Sequence, residues 1–208
     1  MKYFLKTVFI ITFCSNLYSA SISSNAVTGN WSSPASWAGG VVPGSGDSVI
    51  IVSGANISLN SNAIVYKLTI NTGGIFNLSD DTLTLAGNGV LGGNLTIYGT
   101  FNGNTGALYL TGNFYCTGTF SSGTCTFNFN GNDAQSIGGP TVPSFHHLIS
   151  SNTNNNNGKG VALHPVNTII TGNFIANGVF ARNSQSYPTA TVTFNGTTQM
   201  SGLFSFYL

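Results

Sequence analysis

Glutamate is absent from the 208 residues, and only 4 % of the chain is charged. A helical bundle draws on Glu, Lys, Arg and Ala, and a disordered acidic tail needs dense like charge; neither class fits. The acids are four, Asp47, Asp80, Asp81 and Asp133, against five bases, of which Lys2 and Lys6 fall in the first six residues. Lys67, Lys159 and Arg182 stand alone. The clustered cations that phosphate contacts require are missing, which excludes nucleic acid as a main partner. What is present is Asn, Thr, Ser, 27 Gly and many β-branched or aromatic residues, the material of strands joined by tight turns.

Residues 1–20 read as a secretory leader. Two lysines precede an apolar run from Val8 to Cys14, and small residues surround Ala20. The run is too short for a membrane span, and no other stretch reaches the ~18 apolar residues that one needs. Phe13, directly before Cys14, is too bulky for a lipoprotein signal. Leader removal leaves Cys116 and Cys125 in an oxidising compartment. They read either as a disulfide bridging a corner or as two small buried side chains. A metal centre lacks further ligands at the required spacing.

The unit Gly-x-Phe recurs at Gly74-Ile75-Phe76, Gly99-Thr100-Phe101, Gly118-Thr119-Phe120, Gly178-Val179-Phe180 and Gly202-Leu203-Phe204. Intervals of 25, 19, 60 and 24 residues match one coil of a β-solenoid, or three coils for the longest. Alternating runs such as Leu83-Thr84-Leu85 and Leu95-Thr96-Ile97 place one face in and one face out. A longer similarity relates residues 108–120 to 168–180 at an offset of 60, and 126–139 to 191–202 at an offset of about 64. It predicts a repeating unit of three coils. The expectation is an all-β, right-handed parallel β-helix of about eight coils, with the Gly-x-Phe phenylalanines in one interior column. A cap is expected over 21–46 and repeats over 47–208. The second copy stops at Phe206-Tyr207-Leu208, so a fragment of a longer chain is expected. Residues 150–160, rich in Asn, read as a solvated loop.

The opening carries Gly29-Asn30-Trp31-Ser32, Ala35-Ser36-Trp37, Gly39-Gly40, Val42-Pro43 and Gly46-Asp47-Ser48-Val49-Ile50-Ile51. It resembles the start of G8-like, β-helical secreted proteins of Bacteroidetes. Phe129 to Leu148, and Phe194 onward, resemble the repeats that follow in such surface proteins. The resemblance implies export, with type IX sorting in the full-length members, and adhesin-like or carbohydrate-associated roles. It carries over no catalytic residue. Asp47-Ser48-Val49 and Asp81-Thr82-Leu83 resemble O-glycosylation acceptors, at Ser48 and Thr82. Read from the residues alone, Trp31 and Trp37 either cover the first coil or form a sugar-stacking platform.

β-helix enzymes acting on polysaccharides use clustered carboxylates. Asp80-Asp81 reads as a solvated turn, Asp133 lies in another, and Asp47 precedes a strand. His146, His147 and His164 are the imidazoles, and adjacent His in a strand chelate one ion poorly. The function expected is a secreted or cell-surface, structural or adhesin-like solenoid segment without catalytic activity, catalytic residue, cofactor or metal. Its partners would be surface polysaccharide or another surface protein. The alternatives are a carbohydrate-binding or carbohydrate-cleaving β-helix and, with irregular Thr-x-Thr pairs, an ice-binding face.

Overall fold

The computed structural model describes residues 20–87, 92–154, 160–163, 167–182, 191–202 and 204–206. The leader, apart from Ala20, lies outside them, as do Lys159, His164 and the middle of the Asn-rich stretch. The chain is a parallel β-helix whose complete coils contribute one strand to each of three faces. The first face stacks Ser21–Ser23, Ser48–Ile51, Lys67–Ile70, Leu95–Ile97, Phe114–Cys116, Gln135–Gly138, Val161–Leu163, Phe180–Arg182 and Phe204–Phe206. The second stacks Thr28–Asn30, Asn56–Ser58, Ile75–Asn77, Thr100–Asn102 and Thr119–Ser121, and continues as a separate sheet of Ser144–Phe145, Thr168–Ile170 and Val192–Phe194. The third stacks Ala63–Val65, Thr82–Leu85, Ala107–Leu110, Thr126–Phe129, His147–Ser150, Phe174–Ala176 and Thr198–Met200. Every pairing between these strands among the described residues is parallel. The nine strands of the first face bear out the expected number of coils. The only helical turns among the described residues are the 3-10 pieces Pro34–Ser36 and Ala38–Gly40, and none is long enough to cross a membrane.

Alternation in sequence becomes alternation in burial. Thr82–Leu85, Ala107–Leu110 and Thr126–Phe129 each turn their second and fourth residues inward, and parallel register aligns like with like, so Leu83, Leu108 and Phe127 form one interior column. Each such side chain contributes about 1.5–3 kcal/mol by leaving water, and no single coil could bury it alone.

Gly-x-Phe is a corner followed by a strand. Gly74, Gly99 and Gly118 stack on one another: a Cβ on Gly99 would run into the Gly74 carbonyl oxygen, and one on Gly118 into that of Gly99. Two residues on, Phe76, Phe101 and Phe120 stand in register on the second face, with successive ring centroids 5.8 Å apart. Phe180, however, belongs to the first face, in register with Val161. The expected single column is therefore two. The same shift runs through the whole long repeat. Leu108 lies on the third face and Thr168 on the second; Phe114 lies on the first and Phe174 on the third. The similarity spans eight strands, one short of three coils, so the expected three-coil unit is corrected. The corner-and-strand pattern is local, and the three faces accept it interchangeably.

The solenoid also begins earlier than expected. Ser21–Ser23 and Thr28–Asn30 already pair with the second coil, and the cap is confined to the segment after Asn30, which stands where a third strand of the first coil would be.

Candidate functional site

In that segment Trp31 and Trp37 are 2 % and 1 % exposed. Their rings meet edge to face at 4.8 Å, the Trp37 Nε1–H donates to the Trp31 carbonyl oxygen at 2.6 Å, and Trp31 packs against Phe76 at 5.9 Å. Buried on both rings, the pair offers no face to a sugar, so the stacking platform weighed at these residues is corrected in favour of a closure for the core.

Cys116 and Cys125 are buried free thiols, not a disulfide. Cys116 ends a first-face strand, whereas Cys125 precedes a third-face strand, so the whole strand Thr119–Ser121 separates them. Burial pushes the Cys125 thiol up to about 12. Burial also raises Cys116, partly offset by hydrogen bonds with Thr141 and the Gly118 carbonyl.

The acids fall in three separate segments. Asp80 and Asp81 occupy a turn between the second and third faces, Asp133 a bend before Gln135–Gly138, and Asp47 a turn where its Oδ2 accepts the Gly44 N–H at 2.9 Å. Ser48 and Thr82 each open a strand and are half-buried, rather than standing in exposed turns. No group of three or more His, Cys, Asp or Glu able to hold a metal occurs among the described residues.

Several polar side chains outside the core serve the stacking of coils. The residue just before a strand repeatedly accepts the backbone N–H of the residue stacked on it in the next coil. Asn62 does so for Thr82 at 2.8 Å, Asn94 for Asn113 at 2.6 Å, Asn113 for Ser136 at 2.8 Å, and Asn167 for Thr191 at 2.9 Å. His147 fills the same role, its Nδ1 accepting the Asn173 N–H at 3.0 Å. Nδ1 is then unprotonated and the neutral ring carries its proton on Nε2. On the second face Asn102 donates to Asn77 at 2.9 Å, and Asn77 to Asn56 at 2.8 Å, as a side-chain ladder. Asn152, expected in solvent, is fully buried, donating to Gln135 Oε1 and to the Asp133 carbonyl at 2.7 Å each.

His146 and His147 meet edge to face at 4.3 Å, and His147 borders a shallow depression with Thr126, Ile149, Asn173 and Ile175. The sequence reading passed over Tyr98 and Tyr115, which are exposed. Strand parity alone would have found Tyr115, flanked by the inward Phe114 and Cys116. Comparison with protein-family models, curated proteins and solved structures finds no match.

Proposed function

We propose that the chain is an adhesin-like, rod-forming segment displayed outside the cell, without catalytic activity of its own. The observation that carries this reading is the use of the outer polar side chains. Amides that would face a substrate in an enzyme are engaged between coils, at Asn62, Asn94, Asn113 and Asn167 and along the Asn56–Asn77–Asn102 ladder. Asp80 and Asp81 share one connection between strands, and Asp47 and Asp133 lie in others, whereas glycoside hydrolysis needs two carboxylates about 5–10 Å apart across one bond. A stack of coils about 4.8 Å apart gives a stiff spacer held together by its interior and by these amide contacts between coils.

The test is to incubate the purified protein with neutral and acidic polysaccharides and follow released products by mass spectrometry. No release is expected. Turnover that vanishes in Asp80→Asn/Asp81→Asn or in Asp133→Asn would overturn the non-catalytic reading. The second reading, binding of carbohydrate, is favoured by the exposed pair Tyr98 and Tyr115.

A further inference from the structure

We propose that Tyr98 and Tyr115 form a stacking site for a neutral polysaccharide on the edge between the first and second faces. Tyr115 is the outward residue of Phe114–Cys116, and Tyr98 stands on the corner just after Leu95–Ile97 in the coil beneath. They are 44 % and 42 % exposed, for Tyr98 and Tyr115 respectively, and their centroids lie 6.5 Å apart at an interplanar angle of 66°. Trp31, Trp37, Phe76, Phe101, Phe114 and Phe127 are all buried, and Tyr109, on the outer side of a third-face strand, is half-buried. Tyr98 and Tyr115 stand exposed on successive coils, and the outward column below Tyr115 carries the hydroxyls of Thr96 and Thr69, with Ile50 beneath them and Gly138 above.

The chemistry matches one ligand class. A ring face is the negative side of an aromatic quadrupole, and the polarised C–H groups on one side of a pyranose fit against it. The threonine hydroxyls beside the rings, spaced by the coil repeat of ~4.8 Å, both donate and accept toward sugar hydroxyls. Lys67, two coils below Tyr115, is the charged side chain described on that face, so among the described residues an anionic polymer would find no cation cluster there and a cationic one no carboxylate. A second protein needs about 800 Å² of matching surface, which two rings on a convex edge do not supply, whereas one or two sugar rings need no more. This inference gives the adhesive reading a ligand class and rests on it.

The experiment is affinity electrophoresis of the whole protein in gels containing a neutral β-glucan, xylan or galactomannan, with alginate and polygalacturonate as acidic arms. Retardation is expected in at least one neutral gel, falling at least tenfold in Tyr98→Ala/Tyr115→Ala and surviving in Tyr98→Phe/Tyr115→Phe, which keeps the rings. Tyr109→Ala, on the third face, should migrate as the unaltered protein does, and matching melting temperatures establish that the alanine variant is folded. Retardation in acidic gels alone, none in any gel, or a double alanine variant that is folded and still retarded would each overturn the site. Failure here leaves product release untouched, whereas failure of the scaffold reading appears as product release whatever the tyrosines do.

Discussion

His147 Nδ1 accepts the backbone N–H of Asn173 at 3.0 Å, and the imidazole thereby fills a place that asparagine fills between other coils. An asparagine oxygen accepts at any pH, but a histidine only while Nδ1 is unprotonated. Burial, and then the neighbouring His146, hold His147 below its ordinary value near 6.5. The unfolded chain therefore takes up the proton more readily than the folded one. The stabilisation is fully present above about pH 6.5 and is lost as pH falls from there through the lowered value. The urea midpoint of the protein should drop between pH 8 and pH 5, and His147→Asn, which restores an acceptor, should flatten the drop. Equal slopes in the two proteins would refute the role.

The glycine column makes a second prediction. A Cβ on Gly118 has no room beneath the Gly99 carbonyl, whereas one on Gly44 meets only Asp47 Oδ2 at 3.9 Å. Gly118→Ala should cost about 1–3 kcal/mol by overpacking and Gly44→Ala less than about 0.5 kcal/mol, both read from chemical denaturation. Equal losses would mean that close approach is not what selects glycine at the corner.

Phe101 is fully buried between Phe76 and Phe120, with Phe127 also at 5.8 Å. Phe101→Ala should destabilise by about 3–5 kcal/mol. Thr84→Ala, on the outer side of its strand, should stay within about 0.5 kcal/mol. A small effect at Phe101 would contradict its place in the interior.

The parallel solenoid was legible because alternation, glycine punctuation and a coil-length interval all recur, and each is a local property of residues close in sequence. Which face a segment occupies was not legible. Gly118-Thr119-Phe120 and Gly178-Val179-Phe180 read alike, yet they turn different corners, because the phase depends on the lengths of intervening connections such as residues 139–143, which lie beyond any local pattern. The Asn clamps were hidden for a related reason. Asn113 contacts Ser136 only once stacking has brought residues 23 apart together. At the candidate site, attention to rare tryptophans led away from the tyrosines, since rarity marks a residue that matters to the core as readily as one that meets a ligand.

The thiols supply a fourth prediction. With Cys125 pushed up to about 12 and Cys116 raised by the same burial, neither is a ready nucleophile. Maleimide at neutral pH should leave both unmodified in the folded protein and label both after denaturation without reductant, as read by peptide mass spectrometry. A disulfide-linked peptide, or rapid labelling of the native protein, would contradict the buried free thiols.

The central claim is that this chain is a rod displayed at the cell exterior. It is tested most directly by labelling intact producing cells with an antibody against the folded chain, before and after permeabilisation. The account predicts full labelling, or recovery of the protein from the medium, without permeabilisation. Signal that emerges only once the cells are opened would contradict it.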